Sequence, residues 1–313
     1  MRILLANPRG FCAGVNRAVM SLDIAVSNFE TQTVYVYHEI VHNSQVVNHF
    51  SELGVRFVQS LDEVPSHAVL MFSAHGVAPM VRHKAEQKSL HIIDATCPLV
   101  SQVHRTVQRY ASYGYHVIYI GHPGHDEVVG IIGESPEQIT VITTESDVQT
   151  LAECHLPSYS EMRLACLMQT TLSVTQTQKI IEALRRHFPD IEIPVTNICY
   201  ATQNRQEAVR QLAKRADYAL VVGSTNSSNS RRLQEIAAQQ GIPARLIDRA
   251  EEIDLQWFIG IETVLLTAGA SAPEYSVHEC VEQLRNAFDA DVEEVVTCEE
   301  HVVFPLPIEV VHR

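Results

Sequence analysis

Residues 8–15 read Pro8-Arg9-Gly10-Phe11-Cys12-Ala13-Gly14-Val15 and follow the apolar run Ile-Leu-Leu-Ala at residues 3–6. The apolar run is typical of a buried strand, and from Ala13 to Val26 apolar residues recur at helical spacing. The pattern predicts a strand, a glycine-flanked turn and a helix that begins just after Cys12. A helix N-terminus favours the thiolate, the form of cysteine that attacks electrophiles or binds metal. Taken alone, however, such a cysteine is more often a small packed residue.

The composition restricts the class of protein. The 313 residues are 46% hydrophobic and 19% charged, with a formal net charge of −14, values that are typical of a soluble globular chain with two or three domains. The acidic balance argues against a broad surface for nucleic acid or anionic membrane, because such surfaces need clustered Lys and Arg. An anionic small molecule remains compatible if helix N-termini bind it. We expect a cytoplasmic protein, since residues 1–6 look like a core strand rather than part of a signal peptide or membrane span.

Cysteine usage points away from disulfides. The chain has seven cysteines and no C-x-x-C pair, which weakens the thioredoxin-like and zinc-ribbon interpretations. A disulfide framework is improbable in a cytosolic chain of this length. Metal binding, redox chemistry and plain packing remain open for the cysteines at positions 12, 97, 154, 166, 199, 280 and 298.

A degenerate repeat runs along the chain. Each unit begins with a cysteine at a helix start, and two polar loops follow, each after a strand. The three sets are Cys12, His42 and His75; Cys97, His125 and Thr170; and Cys199, Ser227 and Ser271. In this order, the first loop residue lies 30, 28 and 28 residues after the cysteine, and the second lies 63, 73 and 72 residues after it. Alternating strands and helices predict parallel sheets, whose carboxyl-end loops converge on one edge. Three such edges facing one another would gather three thiols inside a ring of His, Ser, Thr and Asn.

Nine stretches in this order resemble the 4-hydroxy-3-methylbut-2-enyl diphosphate reductases (the IspH/LytB family), and the resemblance covers nearly the whole chain. They are residues 8–15, 39–43, 73–76, 94–100, 121–127, 169–173, 204–208, 223–230 and 267–273. The resemblance implies three pseudo-symmetric α/β domains with small, mostly parallel sheets around a central iron–sulfur cluster. We expect these domains at residues 14–97, at residues 98–195, and at residues 1–13 together with 196–313, so that the amino-terminal strand packs into the third domain.

The resemblance also implies the chemistry. Cys12, Cys97 and Cys199 would hold one 4Fe-4S cluster, and three ligands rather than four leave one iron open. The hydroxyl of an allylic diphosphate would bind that iron, and two electrons would break the C–O bond with loss of water. Protonation at either end of the allylic system then gives isopentenyl diphosphate and dimethylallyl diphosphate, the last step of the methylerythritol phosphate route to isoprenoids. Reduced ferredoxin or flavodoxin is the implied electron donor.

Glu127 is the candidate proton donor. A carboxylic acid enclosed beside an anionic substrate has its charged form disfavoured, so it stays protonated near neutral pH. A single Glu at a helix start is more often solvated, but Glu127 lies within the motif Gly-His-Pro-Gly-His-Asp-Glu. The resemblance implies that Thr170 relays or orients the proton through its hydroxyl and that His125 also belongs to the catalytic group.

The diphosphate has no Walker loop to bind it, because no G-x-x-x-x-G-K-[ST] motif is present. Neutral or switchable donors near helix N-termini are expected to replace it. These candidates are His42, His75, His125, Thr170, Ser227, Ser228, Asn229 and Ser271.

Two other functions fit parts of the pattern. His122, His125 and Glu127 form a partial metal site of the kind found in zinc-dependent hydrolases, although this leaves the three repeated cysteines unexplained. A non-enzymatic iron–sulfur redox sensor would use the cysteines alone. We interpret the other singled-out residues as packing or surface positions: His38, His49, His83, His104, His155, Cys154, Cys166, Cys280 and Cys298.

Two positions depart from the family pattern. Asn16 stands where the family usually has Asp, which removes a negative charge from a first helical turn, where such a charge is worth about 0.3 to 1 kcal/mol. Asp126 stands where proline is common, a loop change without an evident chemical cost.

Overall fold

The computed structural model describes residues 1–153, 159, 162–194 and 197–311. Cys154, His155 and the expected domain boundary between residues 195 and 196 lie outside the described residues. The strands are β1 (Arg2–Asn7), β2 (Val34–Tyr37), β3 (Arg56–Val58), β4 (Val69–Phe72), β5 (His91–Asp94), β6 (His116–Ile120), β7 (Ile139–Ile142), β8 (Leu164–Met168), β9 (Tyr218–Val222), β10 (Ala244–Ile247), β11 (Thr263–Ala268) and β12 (Asp291–Val296).

The helices alternate with these strands. They are α1 (Ala13–Asn28), α2 (Ser44–Glu52), α3 (Pro79–Gln87), α4 (Pro98–Ser112), α5 (Asp126–Ile132), α6 (Glu145–Glu153), α7 (Val174–His187), α8 (Tyr200–Leu212), α9 (Ser228–Gln239), α10 (Glu274–Phe288) and α11 (Ile308–Val311). In the part of the chain that the structure describes, no helix is both long enough and apolar enough to span a membrane.

Two compact units make up the chain. Unit I comprises Met1–Met20, Val41–Gly54 and Tyr200–Pro305, and unit II comprises Ser21–Ile40, Val55–Cys199 and Leu306–Arg313.

Unit I contains a five-stranded sheet in the order β10-β9-β11-β1-β12. The first strand of the chain pairs in parallel with β11 on one side and with β12 on the other. Its residues alternate between two cores, since Ile3 packs with Leu266 and Ala6 packs with Leu265. The amino-terminal strand therefore completes a sheet built from the carboxyl-terminal third of the chain, as the resemblance implies.

Unit II contains two sheets, with strand orders β3-β2-β4-β5 and β7-β6-β8. Neighbouring strands are parallel in both sheets, and the strands β4 and β8 are buried along their whole length. Helices cover the faces of parallel sheets, so such strands are almost continuously apolar. The expected α/β class with small parallel sheets is confirmed, and each sheet presents its functional loops at the carboxyl ends of its strands.

Candidate active site

The three repeated cysteines each lie between a strand end and a helix start. Cys12 precedes α1, Cys97 caps α4 and Cys199 precedes α8. Each backbone N–H donates to a carbonyl in the loop after a strand of the same fold repeat. Cys12 donates to Ala270 (3.2 Å), Cys97 donates to Ala74 (3.0 Å) and Cys199 donates to Thr170 (3.1 Å).

These hydrogen bonds correct the expected order within the repeat. The sequence interpretation started each unit at the cysteine, but Cys97 bonds to the loop that contains His75, and Cys199 bonds to Thr170 itself. In space, a repeat consists of two polar loops and then its cysteine. Regular spacing shows how long a repeat is but not where it starts. Cys12 comes first in the chain because β1, the strand before it, pairs with β11 in the sheet of the last repeat.

The cysteines differ in their suitability as metal ligands. Cys12, Cys97 and Cys199 are partly exposed, and none of the cysteines in the described ranges forms a disulfide. Burial raises the pKa of the Cys166 and Cys280 thiols to about 12, which disfavours the thiolate that binds metal. Soft thiolate sulfur is the donor that iron–sulfur clusters use. The three repeated cysteines therefore fit an iron–sulfur cluster, whereas Cys166 and Cys280 do not.

A buried arginine holds the turn before Cys12. Arg205 of α8 is 1% exposed and donates from Nη2 (2.9 Å) and Nε (3.2 Å) to the carbonyl oxygen of Gly10. Its Nη1 donates to Ala201 (3.0 Å) and to the carboxylate of Glu300 (3.0 Å). Gly10 itself has a φ of +61°, a conformation that favours glycine. Arg205 lies in one of the stretches that carry the family resemblance, but no role was predicted for it.

Glu127 lies in a buried polar pocket of unit II. Its side chain is 2% exposed. Thr170 donates its backbone N–H to Oε1 (2.8 Å) and its hydroxyl to Oε2 (2.7 Å), and the Tyr119 hydroxyl donates to Oε1 (3.3 Å). Burial raises the pKa of Glu127, and the hydrogen bonds from Thr170, the charge of His104 and the bond from Tyr119 oppose that rise. The net effect keeps the acid form present above its usual pH range, as a general acid requires.

His125 contacts the backbone of Glu127, and His75 contacts His125. His125 caps α5, and its Nδ1 accepts the backbone N–H of Glu127 (3.2 Å). The rings of His75 and His125 meet edge to face, with centroids 5.9 Å apart. Unit II therefore brings His75, His125, Glu127 and Thr170 to neighbouring loops.

Asp126 takes part in this histidine group. Its Oδ1 lies 2.5 Å from Nδ1 of His38, and its Oδ2 lies 3.9 Å from Nδ1 of His75. These contacts of Asp126 with His38 and His75 were not predicted from the sequence. His38 and Asp126 are 88 residues apart in the chain, so the sequence could reveal their contact only if the two loops were already known to be neighbours.

Unit I gathers the remaining polar candidates. Ser227 caps α9, and Ser228 and Asn229 follow in its first turn, all three buried. The Ser271 hydroxyl donates to the carbonyl oxygen of His42 (2.9 Å) and lies 3.4 Å from the hydroxyl oxygen of Ser227. The side-chain amide of Asn229 is 4% exposed and has no hydrogen-bond partner within the described residues. A buried amide without a partner at a helix N-terminus fits a bound anion.

Asp248 supports these loops and was not among the predicted site residues. Asp248 follows β10 and accepts a hydrogen bond from the Ser224 hydroxyl (2.5 Å) and another from the Ser44 hydroxyl. The Ser44 backbone N–H donates to the Ser224 hydroxyl oxygen (2.9 Å). The available signal was an aspartate directly after a strand, but β10 had not been recognised as a strand.

The zinc-site alternative finds no support in the geometry. His122, His125 and Glu127 all belong to unit II, yet across the described ranges they do not bring three ligand atoms within 4.8 Å of one another. The carboxylate oxygens of Glu127 instead accept hydrogen bonds from Thr170 and Tyr119.

Asn16 is exposed, and its backbone N–H donates to the carbonyl oxygen of Cys12 (2.8 Å). The first turn of α1 carries no acidic residue. The structure gives no reason for asparagine rather than aspartate here.

These features define a class of protein. Parallel α/β sheets that present a buried acid, helix-capping hydroxyls and partly exposed thiols near the carboxyl ends of their strands have the arrangement of an α/β enzyme whose site lies at that sheet edge.

Comparison with known proteins then places the chain. The family profile described as LytB protein matches residues 3–285. The 4-hydroxy-3-methylbut-2-enyl diphosphate reductase of Rhodopirellula baltica is 51% identical over 308 residues, covering 98% of this chain and 95% of the relative. The enzyme of the same name from Actinobacillus pleuropneumoniae serotype 7 is 48% identical, covering 99% of this chain and 98% of the relative.

Solved structures agree with these matches. The E-1-hydroxy-2-methyl-but-2-enyl-4-diphosphate reductase from Plasmodium falciparum superposes with a TM-score of 0.94 at 35% identity, covering 99% of this chain and 97% of that chain. A structure described as (E)-4-hydroxy-3-methyl-but-2-enyl diphosphate reductase, the terminal enzyme of the non-mevalonate pathway, superposes with a TM-score of 0.64 at 30% identity, covering 91% of this chain and 100% of that chain. The chain belongs to the LytB family and is an oxidoreductase.

Proposed function

We propose that this enzyme reduces (E)-4-hydroxy-3-methylbut-2-enyl diphosphate to isopentenyl diphosphate and dimethylallyl diphosphate, the last step of the methylerythritol phosphate pathway. Each turnover consumes two electrons and two protons, breaks the allylic C–O bond and releases one water molecule. The names of relatives that match nearly the whole chain support the substrate. The observation that carries the reaction type is the buried acid Glu127, whose raised pKa suits protonation of a leaving hydroxyl.

The cofactor we propose is one 4Fe-4S cluster held by Cys12, Cys97 and Cys199. When bound, such a cluster supplies the electrons and, at an iron without a protein ligand, a Lewis acid. Support comes from the partial exposure of these thiols and from their common placement between a strand end and a helix start.

Glu127 donates a proton to the departing hydroxyl in this proposal. Thr170 orients the carboxyl group through its two hydrogen bonds and can pass the proton through its hydroxyl. His125 fixes the first turn of α5, and hence the backbone of Glu127, through Nδ1. Such a positioned acid typically contributes about 10²- to 10⁴-fold to a rate.

The diphosphate is bound by uncharged or switchable donors. In unit I these are the serine hydroxyls and the unpartnered Asn229 amide at the start of α9. Neutral donors at a helix N-terminus let an acidic protein bind a trianion without clustered Lys or Arg. The proposed set is His42, His75, His125, Thr170, Ser227, Ser228, Asn229 and Ser271.

The remaining parts of the proposal follow from the family resemblance. Reduced ferredoxin or flavodoxin donates the electrons, and the enzyme acts in the cytoplasm. The three sheets correspond to three domains at residues 14–97, at residues 98–195, and at residues 1–13 with 196–313.

Anaerobic turnover with a low-potential reductant tests the reaction. We expect two electrons to be consumed for each five-carbon diphosphate formed, with both isomers detected by mass spectrometry. If the protein with its full complement of cluster forms no product, the reductase function is wrong and the redox-sensor alternative is favoured. Zinc without acid-labile sulfide in active protein would overturn the cofactor proposal.

Serine substitutions test the ligands. Cys12→Ser, Cys97→Ser and Cys199→Ser should each lose or degrade the cluster, measured by iron, acid-labile sulfide and visible absorbance. Cys166→Ser is the matched control, because burial raises the pKa of that thiol to about 12 and the cluster should be retained. Equal loss from Cys166→Ser would contradict the three-ligand assignment.

A further inference from the structure

The segment that carries His42 belongs to unit I, although its neighbours in the chain do not. Val41–Gly54, which contains α2, is part of unit I, whereas Ser21–Ile40 before it and Val55–Cys199 after it are parts of unit II. Non-covalent contacts within unit I therefore decide where this segment lies. An isolated helix as short as α2, which has nine residues, is marginal in water, so the same contacts also stabilise the helix.

Asp248 binds the first two residues of α2. Its Oδ2 accepts the Ser44 hydroxyl, and its Oδ1 accepts the Ser224 hydroxyl (2.5 Å). The side-chain amide of Gln45 donates to the backbone carbonyl oxygen of Asp248. The Ser224 hydroxyl oxygen in turn accepts the Ser44 backbone N–H (2.9 Å), one of the first N–H groups of a helix, which have no partner within it. Ser44, Ser224 and Asp248 therefore form a closed ring of three hydrogen bonds.

The carboxylate of Asp248 sets the direction of each hydrogen bond in this ring. An ionised carboxylate only accepts, so both serine hydroxyls donate to it. The Ser224 oxygen then has its lone pairs available for the Ser44 N–H. An asparagine at position 248 would present an NH₂ group to one of the hydroxyls, and that hydroxyl would lose its acceptor.

The ring lies next to the proposed diphosphate donors of unit I. His42 is two residues before the first residue of α2, and its carbonyl oxygen accepts the Ser271 hydroxyl (2.9 Å). Ser227 caps α9 and donates its backbone N–H to the carbonyl oxygen of Ser224 (3.0 Å). Asp248 therefore connects the start of α2 to the loop that begins α9.

We infer that Asp248 is a positioning residue for the diphosphate, which holds the start of α2, and with it His42, at the loop that carries the serine donors of α9. This inference rests on the proposed function. Asp248 is not itself a ligand, because its negative charge disfavours an anion nearby. Its carboxylate oxygens bind Ser44 and Ser224 instead, and its effect on the anion site comes through these two contacts.

Neutralising Asp248 separates positioning from charge, because the two effects have opposite signs. The loss of a negative charge alone would strengthen the binding of an anion to this acidic protein. The loss of the ring would weaken it. We expect Asp248→Asn to raise the Kd for inorganic pyrophosphate about tenfold, measured by isothermal titration calorimetry on the anaerobic holoenzyme. An unchanged or lower Kd in the folded variant would overturn the inference.

Turnover gives a second measurement of the same effect. Asp248→Asn should raise the KM for the substrate and leave kcat at saturating substrate and the visible absorbance of the cluster unchanged, because the lost contact serves binding and not the proton donor. Asp291→Asn is the control, since it removes the same charge from an exposed residue of unit I and should alter none of these quantities. An equal rise in KM in both variants would contradict a specific role of Asp248.

Ser44→Ala keeps the test decisive if Asp248→Asn folds poorly. This substitution removes the hydroxyl of α2 from the ring and leaves the contact between Asp248 and Ser224, so the Kd for pyrophosphate should again rise. The double variant should bind pyrophosphate almost as well as the weaker of the two single variants, because both changes break the same contact. Fully additive effects of the two substitutions on the binding free energy would contradict the shared ring.

Failure of the proposed function gives a different result from failure of this inference. Wild-type enzyme that forms no isoprenoid diphosphate, together with weakened pyrophosphate binding in Asp248→Asn, would overturn the reductase proposal and preserve the positioning of an anion site. Normal product formation together with equal pyrophosphate binding by the wild type and Asp248→Asn would overturn the inference alone.

Discussion

Burial determines what Glu127 can do. Removing the carboxyl group from water disfavours its charged form, and this outweighs the donors that stabilise the carboxylate, so the pKa is raised. A folded-state pKa above the unfolded value means that folding is favoured while the group is protonated. That contribution is present below the unfolded pKa and is lost as pH rises through the raised folded pKa.

Glu127→Gln separates the chemistry of this acid from the integrity of the protein. Turnover should fall by at least about 100-fold, because the amide cannot donate the proton, while the visible absorbance of the cluster stays. The glutamine does not titrate, so the variant does not lose stability as pH rises through the raised pKa of Glu127, whereas the wild type does. The difference in unfolding free energy, variant minus wild type, should therefore increase with pH by about 1.4 kcal/mol for each unit by which the pKa is raised. Activity assays and chemical denaturation at several pH values measure both quantities.

The exposed residue Glu137 supplies the control for this substitution. Glu137→Gln should change neither turnover nor the pH dependence of unfolding. An active Glu127→Gln enzyme would move the proton donor to another residue.

Individual contacts show where residue-level prediction from sequence reaches its limit. The motif around Glu127 was found from its neighbours in the chain, and its contact with Thr170 joins two recognised loops. The contact between Asp126 and His38 was missed, because a one-residue departure from a family pattern carries no information about what it will face. His104 was interpreted as a packing or surface position, and the structure shows it buried and paired with Glu134.

At the scale of elements, the first strand and the first helix were predicted from their apolar patterns. The run at residues 3–6 lies within β1 (Arg2–Asn7), and the helix expected to begin just after Cys12 is α1 (Ala13–Asn28). Strands without a following motif were passed over, including the three-residue β3 and the largely exposed edge strand β12. An edge strand with exposed side chains lacks the continuous apolar run that marks a buried one.

Helix α8 connects the support of two proposed ligands. It begins one residue after Cys199, and through Arg205 it holds the carbonyl oxygen of Gly10 in the turn before Cys12. The planar guanidinium uses its fork of donors here, which a lysine cannot reproduce. Arg205 is therefore a positioning residue for the Cys12 turn.

Arg205→Met should loosen that turn. Losing the buried partner of Glu300 should lower the unfolding free energy by about 3 kcal/mol or more. Cys12 in the cluster-free protein should then be alkylated faster, as measured by peptide mass spectrometry, and Arg205→Lys should restore only part of the wild-type protection.

Arg210→Met on the same helix is the control. Arg210 forms a more exposed pair with Glu207 (3.2 Å), and such pairs contribute little. Wild-type stability and wild-type labelling of Cys12 in Arg205→Met would show that the turn holds its shape without the arginine.

At the scale of the whole molecule, composition and alternation predicted the α/β class but not the order of strands. The pairing of β1 with β11 and β12 joins residues more than 250 positions apart, and no local pattern encodes such a register. The same closure of the sheet explains why the repeat was read from the wrong starting point. The family resemblance supplied this part of the fold.

Net charge limits which groups can bind the proposed anionic substrate. A chain with a formal net charge of −14 has no need of a basic surface if its anion is bound by hydroxyls and amides at helix N-termini. The capped start of α9 and the unpartnered amide of Asn229 provide groups of that kind.

Turnover in D₂O, followed by mass spectrometry of the products, tests the proposed reaction most directly. Reductive dehydroxylation puts one solvent-derived hydrogen on carbon and sends the hydroxyl oxygen to water. We predict isopentenyl and dimethylallyl diphosphates that each carry one deuterium on carbon, with two electrons consumed per product. Products that retain the hydroxyl oxygen, or that lose phosphate without consuming electrons, would contradict the assignment of this chain as the reductase.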